Sequence, residues 1–221
     1  MASSSSNDAM VPTVLTVPGL NGSGPAHWQT LWEQTRPDTT RVDLCMWHTP
    51  HRNSWVTKLD QAIRRAQAPV VLVAHSLGCV AVAWWAALSP QLPDGPVIGA
   101  LLVAPADVDR SDAPAEIKGF APMPRLRLPF PSLVVASTDD PWMRHDRARS
   151  LAADWGSHFV DAGARGHLNA DSGLGAWREG QELLDRVLLA GFDAAPRGDT
   201  RSLVAREARR WSGEAAAGRT A

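Results

Sequence analysis

Three side chains in this sequence have the types and order needed for acyl-transfer chemistry. Ser76 lies in VVLVAHSLGCVAVAWWAAL, where a Val/Leu run stops at one hydroxyl and a helix-like apolar pattern begins straight after it. A serine hydroxyl is a weak nucleophile until a base takes its proton. The base must follow elsewhere in the chain, with a carboxylate to orient it. Asp139 and Asp140 in ASTDDPWM each close an apolar run, and His167 in DAGARGHLNADSG closes the next. Each of the three therefore falls just past the carboxyl end of a predicted strand, where the chemistry of open α/β sheets gathers.

The flanks of Ser76 fit the same role. Ala74 and Gly78 sit two residues before and two after it, a small-residue variant of the G-x-S-x-G nucleophile elbow. A sharp strand–serine–helix turn brings the backbone at those positions close to its neighbours, which requires small side chains. Ala in place of the first Gly is a mild departure. The chain order Ser, Asp, His is that of α/β hydrolases. Of the two aspartates Asp140 is taken as the orienting group, with Asp139 left to cap the next helix or face solvent. His75 precedes the serine and should point elsewhere. His27, His48, His51, His145 and His158 lack a strand-end position and read as surface or satisfied histidines. Asp161 and Asp171 read as structural.

An oxyanion needs two N–H donors. One is expected from Leu77, at the start of the helix. The other is expected from the loop PGLNGSG, from Leu20 or Asn21, with Gly19 letting the backbone approach. Asn21, Trp28 and Trp142 are expected around an apolar acyl pocket. The segment 105–131, with six prolines and no period, leaves the same edge and is either a flank of the site or disordered.

The elements that must position these residues alternate. Strands are predicted at Thr13–Val17, in RVDLCMW from Arg41, at 69–74, 97–104, 132–137 and 158–162. Helices are predicted through HWQTLWEQ with Pro25 in the first turn, from Asn53 or Ser54 onward, over 77–88, from about Trp142 to Trp155, and from about Leu174 to Leu189. Such alternation implies right-handed crossovers and a doubly wound, mostly parallel sheet of about six strands with helices on both faces. Residues 1–10 read as a disordered leader and 11–192 as one domain. Residues 193–221, Arg-rich, read as a partly disordered tail or one short helix.

Composition narrows the class. The 221 residues are 44% hydrophobic and 20% charged, with a formal net charge of −1, which gives no electrostatic footprint for nucleic acid or an anionic membrane. The two cysteines do not make a disulfide framework. No stretch reaches the roughly 20 apolar residues of a bilayer span. MASSSSNDAM lacks the basic and apolar regions of a secretory signal, so a cytoplasmic protein is expected. No metal or nucleotide motif occurs, and no cofactor is expected.

The pieces VPGLNGSGPAHWQTLWE, VAHSLGC, APADVDR, ASTDDPW and GHLNADSGLGAWREG together resemble the retinoblastoma-binding protein 9/YdeN family of small serine hydrolases, over about residues 11–190. The resemblance implies a compact α/β-hydrolase fold without a large cap. It also implies a triad of Ser76, Asp140 and His167, and a small ester, thioester or amide as substrate. The retinoblastoma partner suggested by the family name is not expected, because LCMWH is not a Leu-x-Cys-x-Glu stretch. A monomer or homodimer is expected. An acyltransferase using the same triad and a non-catalytic binding module on the same fold are the rival readings.

Overall fold

The computed structural model describes residues 11–89 and 95–194, with side chains to residue 191. Its sheet has six strands: β1 (Thr13–Val17), β2 (Thr39–Arg41), β3 (Val70–His75), β4 (Val97–Val103), β5 (Ser132–Ala136) and β6 (His158–Asp161). Their spatial order is β2-β1-β3-β4-β5-β6, and every neighbouring pair is parallel. The helices are α1 (Trp28–Thr35), α2 (Arg52–Arg65), α3 (Leu77–Leu88), α4 (Ala115–Lys118), α5 (His145–Trp155) and α6 (Arg178–Ala194).

The strand sequences lack polar alternation because both sheet faces are covered. Successive residues still divide between two cores. Leu15, Val17, Leu72, Ala74, Leu102 and Val134 pack with α2, α3 and α5. Val14, Val71, Val73, Leu101, Val103 and Val135 pack with Trp28 and Trp32 of α1 and with Leu184 and Val187 of α6. The helix α3 is apolar nearly all round, as a helix buried at the centre of a fold must be, and Trp85 of its last turn is still buried.

The structure moves several predicted boundaries. The second strand ends at Arg41 instead of beginning there, because Cys45 and Met46 take left-handed φ of 57° and 47°, which a strand does not accept. The helix α1 starts at Trp28 with His27 as its N-cap, so Pro25 lies before the helix. The helix α5 starts at His145 because residues 140–142 are held in a turn by Asp140. The helix α6 starts at Arg178: a 3-10 turn at Ala170–Ser172 and left-handed φ at Gly173, Gly175 and Trp177 delay it. It runs to Ala194, past the domain boundary expected at residue 192. The expected leader and nearly all of the expected tail lie outside the described residues.

The proline-rich connection is packed rather than loose. Its prolines prevent a long helix or strand, yet Ile117, Phe120, Met123, Leu128 and Phe130 are buried in the core beneath α3 and α5. The indoles of Trp84 and Trp155 donate to the carbonyls of Phe120 and Pro124, at 2.7 Å each. Only the one-turn helix α4 stands between β4 and β5, so among the described residues no cap covers the carboxyl edge of the sheet. Among the described residues no helix is long and apolar enough to cross a membrane.

Candidate active site

Ser76 is placed by backbone geometry. Its φ of 54° and ψ of −123° lie in a region that costs a non-glycine residue on the order of 1–3 kcal/mol. Neighbours hold it there. The Ser76 amide donates to the Val103 carbonyl at 3.0 Å, and its carbonyl accepts from Cys79 N–H at 3.0 Å. A Cβ on Gly78 would overlap the carbonyl oxygen of Val17 and lie 2.7 Å from that of Pro18. On the other side, a Cβ on Gly19 would come within 2.7 Å of the Ser76 Cβ. Small residues are thus required where the chain doubles back past β1.

His167 meets the serine from the loop after β6. Its Nε2 is 2.8 Å from Ser76 Oγ, and its Nδ1 is 2.9 and 3.0 Å from the two oxygens of Asp140. A carboxylate only accepts, so Nδ1–H donates to Asp140 and Nε2 keeps a lone pair for the serine proton. Ser76 and His167 are each 9% exposed, and the Asp140 side chain only 2%. Asp140 Oδ1 also accepts from Trp142 N–H at 2.8 Å, which fixes the carboxylate's orientation.

Four further bonds hold the loop that carries His167. Arg165 N–H donates to Ser137 Oγ at 2.8 Å, and Gly166 N–H to Asp139 Oδ1 at 2.7 Å. His75 Nε2–H donates to the His167 carbonyl at 2.9 Å, and Trp28 Nε1–H to the Leu168 carbonyl at 2.8 Å. Asp139 therefore neither caps α5 nor simply faces solvent; the bonds from Ser137 and Gly166 hold its carboxyl below the usual range. His75 does point away from the serine, as expected, but onto the backbone of His167. Burial, first of all, keeps it uncharged well below the usual histidine value.

The loop after β1 separates the two expected oxyanion donors. Asn21 N–H is committed to the Trp47 carbonyl at 2.8 Å. Among the described residues no acceptor faces the N–H of Leu20 or of Leu77. A Cβ on Gly19 would lie 3.2 Å from Leu77 N, so the loop that carries Leu20 passes close against the start of α3.

A cleft of about 280 Å³ opens over Ser76. Leu20, Leu77, Ala106, Ile117 and Trp142 give it an apolar side, and the Trp142 ring lies 5.9 Å from that of His167. Asn21 is exposed at its mouth, with Oδ1 2.8 Å from His48 Nδ1. Trp28 is not at the cleft: it is buried beneath, against Trp32 and Trp177, because its indole turns to the Leu168 carbonyl. Sequence reasoning missed His27, which borders the cleft and is 4% exposed. Its position depends on how the loop after β1 turns into α1, and no spacing in the sequence reports that. Burial, then the charge of Arg41 and the nearby His167, lower its pKa to about 4. Among the described residues no cluster of three or more His, Cys, Asp or Glu is placed to hold a metal ion.

Residues 14–186 match the family described as Serine hydrolase. Among solved structures the chain is similar to a YdeN-like hydrolase from Pectobacterium atrosepticum, with 30% identity over 83% of this chain and 92% of that one and a TM-score of 0.71. The ydeN gene product of B. subtilis is 18% identical over 80% of this chain and 99% of its own, with a TM-score of 0.66. A thermophilic esterase from Thermogutta terrifontis, solved with butyrate bound, is 17% identical over 86% of this chain and 87% of its own, with a TM-score of 0.60. The last two likenesses speak to the fold alone. No curated protein sequence matches the chain.

Proposed function

Since the chain belongs to the serine hydrolase family, with a YdeN-like α/β hydrolase among its solved relatives, we propose that it cleaves a small carboxylic ester, or a related thioester or amide, through an acyl-enzyme on Ser76. The observation that carries this reading is the unbroken hydrogen-bond chain from Asp140 through His167 to Ser76 Oγ. His167 takes the serine proton as Oγ attacks the carbonyl carbon. The imidazolium is stabilised by Asp140 and returns the proton to the leaving atom. Water then enters and gives a proton to His167 as its oxygen attacks the acyl carbon, and His167 passes that proton to Ser76 Oγ as the Oγ–acyl bond breaks and the acid leaves. Leu20 and Leu77 N–H donate to the oxyanion, each worth roughly 3 kcal/mol in the transition state if they act as such donors do elsewhere.

The cleft's size supports a short substrate, because about 280 Å³ is at the low end for small-molecule sites. The same proposal takes the cytoplasm as the setting and invokes no cofactor. Hydrolysis of p-nitrophenyl esters from acetate to octanoate tests it. Turnover should be highest for the short chains and fall by at least about a thousandfold in Ser76→Ala and in His167→Ala. The double variant should lose little more than either single one, because the two groups act as a unit. Equal turnover by wild type and Ser76→Ala would contradict the proposal.

A further inference from the structure

Gln29 is a fully buried amide in the first turn of α1, and the triad does not use it. Its Nε2–H donates to the Val73 carbonyl at 2.9 Å. A carbonyl only accepts, so this bond fixes which way the amide points and leaves Oε1 as an acceptor. Ser23 Oγ–H donates to that oxygen at 2.6 Å. Taking an amide and a hydroxyl out of water is unfavourable unless each is paired, and an apolar side chain would fill the same place in α1 without that demand. A satisfied buried pair does what an apolar residue cannot: it fixes direction as well as distance.

What the pair joins gives its use. Val73 is in β3, three residues before Ser76. Since β3 lies between β1 and β4, its end is held from both sides, and with it Ser76 and the Leu77 N–H that opens α3. Ser23 belongs to the loop after β1. In that loop Gly22 N–H donates to the Gly19 carbonyl at 3.0 Å, closing a turn over Leu20 and Asn21. The turn carries the Leu20 N–H and hangs between two supports. One is the end of β1. The other is Ser23, which directly follows Gly22. Ser23 is held at both its oxygens, since its carbonyl accepts from Thr30 Oγ1–H at 2.9 Å. Leu20 and Gly22 line the cleft over Ser76, whereas Gln29 lies behind them.

We infer that Gln29 is a positioning residue for oxyanion binding: by joining Val73 of the nucleophile's strand to Ser23, its amide sets the Leu20 N–H against the Leu77 N–H. This rests on the proposed ester-hydrolase reading and deepens it. Gln29 touches no substrate. It acts through donors that matter when charge develops on the carbonyl oxygen, so its loss should be felt in the transition state and not in ground-state binding.

The test pairs ester kinetics with inhibition by a trifluoromethyl ketone. Ser76 Oγ adds to the ketone carbon, its proton passes to His167, and the former carbonyl oxygen becomes the anion that the two N–H groups receive. Gln29→Met keeps the length of the side chain and removes both bonds. Ser23→Ala removes one of them and serves if the first variant does not fold. Rates are expressed per Ser76 titrated to its end point with a fluorophosphonate, which removes any loss due to unfolded chains. In each variant kcat for p-nitrophenyl acetate should fall about tenfold at an unchanged KM, and the inhibition constant of the ketone should rise by a similar factor. The double variant should lose little more than Gln29→Met, because the two residues share one bond. Ser23→Thr, which keeps the hydroxyl, should recover most of the rate. Wild-type kcat per titrated site in the folded variants overturns the inference, as does a lower kcat with no weakening of the ketone, or losses that multiply in the double variant. A wild-type chain that no fluorophosphonate titrates overturns the hydrolase reading itself.

Discussion

Asp139 reaches from the end of β5 to the amide of Gly166, 2.7 Å away, so the residue before His167 is tied down by the chain neighbour of Asp140. The same Oδ1 accepts from Ser137 Oγ at 2.6 Å. Two adjacent aspartates thus divide the work on one histidine: one holds its ring and the other its loop.

Removing the loop's tether should cost rate more than binding. Asp139→Ala is expected to lower kcat by about tenfold with little change in KM, since small displacements of a reacting group are expensive. Asp139→Asn keeps the accepting oxygen and should recover most of the loss. Steady-state kinetics of the three proteins decide this; equal kcat in Asp139→Ala and wild type would show that Gly166 needs no anchor.

Gly78 is a packing requirement rather than a preference. Gly78→Ala places a methyl group into the Val17 and Pro18 carbonyls, which cannot move without shifting β1. A loss of about 3 kcal/mol is expected, read by denaturant unfolding against wild type. An unchanged midpoint would mean that the elbow is looser than its geometry.

Two buried histidines should make stability fall in acid. His27, at about 4, and His75, well below the usual value, both hold protons more weakly when folded than unfolded, so the unfolded chain takes up protons that the folded chain refuses. Their contribution is complete above about pH 6.5 and is lost as the pH falls toward 4. His27 alone accounts for about 3 kcal/mol over that window. Unfolding free energies measured between pH 7 and 4.5 should fall less steeply in His27→Asn; parallel slopes would contradict the burial of its neutral form.

The two tryptophans expected at the acyl pocket should separate. Trp142→Ala widens the cleft and should change the relative kcat/KM for acetate and octanoate esters. Trp28→Phe removes the bond to the Leu168 carbonyl, and should lower kcat for both chain lengths alike, by roughly threefold to tenfold. A shifted chain-length preference in Trp28→Phe would place that ring at the substrate after all.

Much of the fold was legible because each apolar run is bounded by Pro, Gly or a polar cluster, and because both faces of the sheet are covered. The helix after Ser76 reads at its observed limits, Leu77–Leu88, since its apolar run begins and ends sharply. The strand near Cys45 was misread because RVDLCMW has strand composition, and its left-handed residues carry no glycine to mark them. Ser76, Asp140 and His167, which the structure brings into one hydrogen-bonded chain, stand out in the sequence by type, order and strand end. Asp139, His75 and His27 were passed over, since each depends on where a loop backbone returns in space. Side-chain type does not encode that return: the carbonyls of His167 and Leu168 are the acceptors, and any residues at those positions would offer them.

The most direct measurement is intact-mass analysis after exposure to a fluorophosphonate, for the wild-type chain and for Ser76→Ala. A serine held 2.8 Å from a histidine that is itself paired with Asp140 should be activated, giving one adduct on wild type and none on the variant. A folded wild-type chain with no adduct, or an adduct that persists in Ser76→Ala, would contradict the assignment of Ser76 as the nucleophile.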